Sequence, residues 1–344
     1  MSCVIRPGVS HETPLTVPFY VDAHMPDQIV DTRATPETNL PPLITIVGAT
    51  AVGKTRLSLD LASTFNGEIV NADSRSFYRG MDIGTAKASP EERNRLPHHL
   101  IDFLNPNDNV SLAMFQDLAN AAIADIHERG RLPFLVGGTP QYVNAVVEGW
   151  KMPRVEPDPD FRLHLQREAE TDGFAPLLER LRQVDPESAE RAGPNVRRII
   201  RALEVYEKTG RPMSEQQSKG PAPYRALQLE LWRPREDLHR RIDARVDEQL
   251  STGLIAEIRS LLEHGAHPDS PAFSSIGYRQ AMPYIRGEAT LEDIVERIRF
   301  DTHRLVRHQQ TWWRKNPHLI RIDMTTPDAK EQAVRAISTH IQRT

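Results

Sequence analysis

Residues 48–55, GATAVGKT, constrain the fold of this chain more than any other stretch. They match GxxxxGK[ST], follow the β-branched run LITIV (43–47), and precede RLSLDLAST, whose apolar residues recur at helical spacing as far as Phe65. At ordinary glycine frequency a chance match is an event on the order of 1% before the flanks are counted. Strand, glycine loop and helix start in that order make a phosphate cradle. Gly48 and Gly53 let backbone N–H groups approach oxygen atoms, Ala49, Thr50, Ala51 and Val52 complete the loop, and Lys54 adds a point charge. The Thr55 hydroxyl is placed to ligate Mg²⁺. Residues 48–55 are therefore predicted to bind a diphosphate, and the open question is whose.

Beyond the loop the pattern alternates. GEIVNAD (67–73) reads as a second strand ending in an acid, and SLAMFQDLANAAIADIHERG (111–130) as a helix opened by Ser111 and closed by Gly130. LPFLVGGT (132–139) is a third, buried strand. The expectation is an α/β fold: a P-loop NTPase-like parallel sheet flanked by helices, with ligands at the carboxyl ends of the strands. Residues 151–224 change character. RLHLQREAE and FAPLLERLRQV are charged and helical, and turn signals such as GRP (210–212) interrupt them, which predicts a helical insertion domain. LQLELWRPR (227–235) returns to strand character, so 42–150 and 225–344 are assigned to one catalytic core. Residues 1–41, rich in Pro, Thr and acids without periodicity, read as a disordered extension.

Composition narrows the partners. With 39% hydrophobic and 26% charged residues in 344, and a mean hydropathy of -0.50, the chain falls in the globular class. A net charge of -4 means that any nucleic-acid contact must rest on local basic patches. No apolar run approaches the ~20 residues that span a bilayer, so no membrane partner is expected. A single cysteine, Cys3, excludes a disulfide framework and fits a reducing compartment, with the cytoplasm as the expected address. The acids Glu12, Asp22, Asp27, Asp31 and Glu37 do not suit a transit peptide.

An ordinary ATPase also closes a later apolar strand with an Asp that holds the magnesium shell. Here that strand ends in Gly137-Gly138-Thr139, and the acid is Asp73 instead. Pattern alone leaves Asp73 open between a functional acid and a turn or cap acid, because NADS is good turn chemistry. His98 and His99 are adjacent, so their side chains point apart, and no further ligands stand at metal spacing; a structural role is expected.

GATAVGKT, NADSRSFYRGMDIGTAK (71–87), PHHLIDF (97–103), LVGGT (135–139), RRIIRALEVYEKTGRP (197–212), SSIGYRQ (274–280) and QQTWWR (309–314) occur in the order found in tRNA dimethylallyltransferases. The chain resembles that family from residue 43 to about 315. The resemblance implies transfer of a dimethylallyl group from dimethylallyl diphosphate to N6 of the adenosine 3′-adjacent to the anticodon (position 37) of tRNA, releasing diphosphate. The implied partners are that donor and the tRNA anticodon stem-loop, the implied cofactor is Mg²⁺, and a monomer is expected. An exocyclic adenine amine is a weak nucleophile, so the reaction needs a base at its N–H and stabilisation of the leaving diphosphate. Asp73 suits the base and Thr139 a hydrogen bond to donor or amine; the resemblance supplies Arg235, in RPREDLHRRI, for the leaving group. It also implies tRNA contacts at Ser74, Arg75 and Ser76, at Arg197, Arg198, Ile199, Ile200 and Arg201, at Ser274, Gly277, Tyr278 and Arg279, and at Arg307, Gln309, Trp312 and Arg314. Cations interleaved with aromatics in the last group suit phosphate contact and stacking.

The chain departs from the family pattern at Ala49 and Val52, which keep the cradle feasible, and at Arg75, Ser76, Pro140 and His308, which alter groups expected near RNA. Two other readings stand beside the first. One is an adenylate isopentenyltransferase acting on free AMP, ADP or ATP, against which the insertion and the basic C-terminal helix weigh. The other is a P-loop kinase-like nucleotide-binding protein, against which the missing strand-end acid weighs.

Overall fold

The computed structural model describes residues 40–342; the readings for residues 1–39 lie outside the described residues. Its strands are β1 (Pro42–Gly48), β2 (Gly67–Asn71), β3 (His98–His99), β4 (Leu132–Gly137), β5 (Trp150–Lys151), β6 (Ser218–Lys219), β7 (Arg225–Trp232) and β8 (Ile320–Asp323). Six of them form one sheet in the order β3-β2-β4-β1-β7-β8, and every pairing in it is parallel. The fold class read from the sequence is the one observed. Leu43, Ile44, Ile46 and Val47 of β1 are fully buried, as a central parallel strand covered on both faces requires.

The order has one consequence for the site. β2 follows β1 in sequence but does not touch it, because β4 lies between them. The carboxyl ends of β1, β4 and β2 therefore stand in a row, carrying the P-loop, Thr139 and Asp73. A Cβ on Gly137 would lie 2.3 Å from the Ala72 backbone, so this glycine lets β4 and β2 close up beside Asp73. Both strands stop earlier than their apolar runs suggest, at Asn71 and Gly137, which frees Asp73 and Thr139 to sit in turns.

The helices Pro159–Asp172, Ala175–Val184, Pro186–Ala192 and Val196–Thr209 bury Leu165, Leu177, Leu181, Ile199 and Leu203 in a cluster separate from the main core. The antiparallel pair β5–β6 closes the chain on either side of this unit. Its buried hub is Glu204, which accepts two bonds from Arg162 (both 2.7 Å), one from Arg201 (2.5 Å) and one from the Asp158 N–H (2.7 Å). Burial alone would raise the Glu204 pKa, but these donors outweigh it and hold the group below its ordinary value of 4.5. The unfolded chain therefore takes up this proton first, so the contribution is complete above about pH 4.5 and is lost as pH falls through the lower folded value. Glu204→Gln is expected to cost about 2 kcal/mol, less than a fully buried pair because both arginines are partly exposed, and to flatten the acid limb of stability. Urea melts of both proteins at pH 7 and pH 4 check this.

Candidate active site

At the end of β1 the backbone turns sharply. A Cβ on Gly48 would stand 2.5 Å from the Leu231 carbonyl of the neighbouring strand, so only glycine fits. The helix Lys54–Thr64 then starts with no side-chain cap. The N–H groups of Ala51, Gly53, Lys54 and Thr55 have no hydrogen-bond partner among the described residues, and the helix dipole adds partial positive charge there. The loop carbonyls, by contrast, are occupied. Arg241 Nε donates to Ala51 O (2.8 Å), Arg233 Nε to Val52 O (3.1 Å), and Lys54 Nζ to Gly48 O and Ala49 O (3.0 Å each). Burial pushes the Lys54 ammonium down to about 8, with Asp73 pulling it up and Arg245 pushing it further down. The loop is thus a set of fixed donors and cations waiting for an anion.

Asp73 lies two residues beyond β2 in a turn that its own side chain builds: Oδ1 accepts the Arg75 N–H at 3.0 Å, and the Asn71 side chain bonds both its N–H and its carbonyl, each at 3.1 Å. The sequence left a turn acid and a functional acid as alternatives; Oδ1 holds the turn, and Oδ2 has no partner among the described residues. Thr139 precedes the helix Pro140–Val147, and its hydroxyl makes no capping bond. Pro140 occupies the first helical position, where no N–H is needed.

Thr50, Asp73 and Thr139 line one cavity. Its further polar wall includes Arg245 and Gln249, and its apolar wall includes Ile242, Val246, Ile298, Leu305 and Trp312. Arg241, Arg245 and Gln249 were not singled out from the sequence. They recur every fourth residue on the helix Arg235–Ser251, so a helical-face reading of RRIDARVDEQ shows one polar stripe. Arg235 is not among the residues lining the cavity; it stands exposed at the start of that helix with Nε 3.4 Å from His239 Nε2. The arginines of this helix and its approach that reach the loop are Arg233 and Arg241, and the one that enters the cavity wall is Arg245.

Gly84, Thr85 and Ala86 form another side of the cavity, at the end of the segment Asp82–Ile83–Gly84. Glu257 binds three consecutive N–H groups there, those of Asp82, Ile83 (2.8 Å each) and Gly84 (3.2 Å), and accepts the Tyr278 hydroxyl at 2.5 Å. Tyr278 is fully buried, and burial followed by the Glu257 charge raises its pKa. This corrects the expectation that Tyr278 contacts RNA: its ring packs inside, under Gly84. Tyr278→Phe is expected to cost about 2 kcal/mol, the loss of a hydrogen bond to a charged group, with RNA affinity unchanged. Thermal melts and filter binding check both parts.

The other expected RNA contacts divide. Ser74, Arg75, Ser274 and Trp312 line the cavity, where Arg75 Nη1 bonds Pro271 O and Ser274 Oγ (3.1 Å each). Arg197, Arg307 and Arg314 are exposed. Arg279 is half-buried, 3.5 Å from Asp301, and Gly277 caps its helix with φ +97°. Ile199 (0% exposed) and Ile200 (5%) face the interior of the helical unit, and Ser76 is buried, so these side chains touch protein. Arg201 is bound to Glu204 and Val155 O, and Arg198 to Arg191 O. Gln309 is buried against the P-loop. His99 pairs with the buried Glu68 (2.6 Å), and His98 Nδ1 lies 2.9 Å from Leu96 O, so both histidines have structural partners.

A parallel sheet with a P-loop on its central strand, and a cavity of acid, hydroxyl and cations at the adjoining strand ends, defines a P-loop α/β protein shaped for a phosphorylated ligand. Residues 76–316 match the family model for IPP transferase, and the chain belongs to that family. It is 52% identical over 297 residues to the tRNA dimethylallyltransferase of Roseiflexus sp. (strain RS-1), covering 86% of this chain and 97% of that one. Identity to the tRNA dimethylallyltransferase of Roseiflexus castenholzii is 54% over 293 residues, 85% of this chain and 96% of that one. Among solved structures, the full-length tRNA isopentenylpyrophosphate transferase of Bacillus halodurans is similar with a TM-score of 0.67 and 39% identity, covering 88% of this chain and 97% of that chain. A eukaryotic dimethylallyltransferase acting on tRNA gives a TM-score of 0.74 at 29% identity, over 88% of this chain and 79% of that chain.

Proposed function

We propose that this protein transfers a dimethylallyl group from dimethylallyl diphosphate to N6 of the adenosine 3′-adjacent to the anticodon, position 37, of tRNA. The observation that carries the reading is the sharing of one cavity by Asp73, Thr139 and Thr50 of the P-loop. The strand end that would supply a magnesium-holding acid in an ATPase offers Gly137-Gly138-Thr139. As the N6–C bond forms, the C–O bond to diphosphate breaks, and the N6 proton passes to the Asp73 carboxylate. The unpaired loop N–H groups, Lys54 and Arg245 stabilise the negative charge that develops on the leaving diphosphate. Thr139 orients the donor or the amine through its hydroxyl, and Ile242, Val246 and Ile298 suit the five-carbon group.

The Thr55 side chain is exposed and has no partner among the described residues, so it fits an ion that takes most of its shell from diphosphate oxygens and water, as Mg²⁺ does. When bound, Mg²⁺ neutralises part of the diphosphate charge. Ser74, Arg75, Ser274, Arg279 and Trp312 receive the base-bearing end of the RNA, with Arg197, Arg307 and Arg314 on phosphates. The helical unit of residues 151–224 embraces the anticodon stem-loop. The working unit in this reading is a monomer, acting in the cytoplasm. No helix among the described residues is long and apolar enough to cross a membrane. Equilibrium dialysis tests the donor: dimethylallyl diphosphate should bind with Mg²⁺ and ATP should bind at least tenfold more weakly (about 1.4 kcal/mol). Equal or tighter ATP binding would return the protein to the nucleotide-binding class.

A further inference from the structure

Gln309 stands on the helix Leu291–Trp313 and is 4% exposed. Its Oε1 accepts the Thr50 N–H at 2.9 Å, and its Nε2 donates to Gly138 O at 2.8 Å. One side-chain amide thereby joins the phosphate-binding loop after β1 to the peptide that precedes Thr139 after β4. Both partners are backbone groups, so the bridge fixes main-chain positions. The joint is tight: a Cβ on Gly138 would lie 2.9 Å from Gln309 Nε2 and 3.4 Å from Lys54 Nζ. Only a planar group with one acceptor and one donor at this reach can satisfy both ends. In a site shielded from water each bond is stiff, and leaving either end unmade is costly. The Thr50 N–H is also removed from phosphate binding, which leaves that task to the later N–H groups of the loop.

We infer that Gln309 is a positioning residue of the transfer site: it sets the separation of the P-loop from Thr139, and so places the held diphosphate in register with Thr139 and Asp73. This rests on the prenyl-transfer reading of the same cavity. It replaces the expectation that Gln309 contacts tRNA, and it explains a buried glutamine in a helix otherwise bearing exposed cations.

Gln309→Met keeps the length and removes both bonds, whereas Gln309→Glu keeps the acceptor, turns the donor into an oxygen facing Gly138 O, and adds negative charge. Binding of inorganic diphosphate with Mg²⁺ is measured by calorimetry on the full chain, and steady-state kinetics are run with dimethylallyl diphosphate and tRNA varied separately. Gln309→Met should weaken diphosphate binding and lower kcat, each about tenfold, the effect of one or two buried hydrogen bonds. Its KM for tRNA should stay within about twofold, and Gln309→Glu should bind diphosphate more weakly than Gln309→Met. A raised KM for tRNA with unchanged diphosphate affinity overturns the inference in favour of direct RNA contact. Wild-type values for both variants overturn it as well. If the wild-type protein binds diphosphate but transfers nothing, the functional reading fails, while the order of diphosphate affinities still decides the role of Gln309. Absence of diphosphate binding by the wild type overturns both.

Discussion

Asp73→Asn is expected to lower the turnover of prenyl transfer about a thousandfold while changing donor affinity less than about threefold. Asparagine keeps the shape and an oxygen that accepts the Arg75 N–H, so the turn after β2 survives. What disappears is the only carboxylate among the described residues that line the cavity, and with it the proposed acceptor for the amine proton. Without a base, attack by N6 requires either a cationic adenine or proton loss to water, and both raise the barrier. Rapid-quench single turnover with saturating donor separates chemistry from binding, and diphosphate calorimetry reports the cradle. A variant within tenfold of wild type would place the base elsewhere.

Lys54→Met should reduce kcat/KM for the donor by roughly two to three powers of ten, with tRNA affinity unchanged. Lys54 is partly buried among the groups proposed to face the leaving diphosphate, and its ammonium ties Gly48 O and Ala49 O together. Charge on the diphosphate grows as the C–O bond breaks, so loss of the ammonium weakens the transition state more than the ground state. Methionine fills a similar volume, which keeps collapse of the loop from dominating the result. Kinetics with the donor varied at saturating tRNA, beside RNA filter binding, give the two numbers. A defect confined to RNA binding would contradict the assignment of the loop to diphosphate.

The sheet and the cradle were legible because their signals are local. The P-loop is eight consecutive residues, its strand is the β-branched run LITIV, and Ser111 stands directly before the helix Leu112–Glu128 that it caps through the Met114 N–H. Groups that meet only through folding were not legible. Gln309 and Thr50 are 259 residues apart, and nothing near QQTWWR distinguishes a glutamine facing the P-loop from one facing RNA. Tyr278 bonds Glu257 across two helices, and its motif IGYRQ reads equally as a surface for a base. Ile199 and Ile200 share RRIIRAL with three arginines, and only the helical phase separates buried from exposed positions there. The strand β8 escaped because it has four residues and Ile320 is 44% exposed, so its sequence carries no apolar run. Arg241 and Arg245 lay within a stretch already rich in arginine, where identity alone does not say which guanidinium turns inward.

The most direct test incubates the purified protein with Mg²⁺ and labelled dimethylallyl diphosphate, with unmodified tRNA or AMP offered in parallel, and then digests the products to nucleosides. The expected result is label in N6-dimethylallyladenosine from the tRNA reaction alone, mapping to the nucleotide 3′ of the anticodon. Label on AMP with none on tRNA would contradict the account.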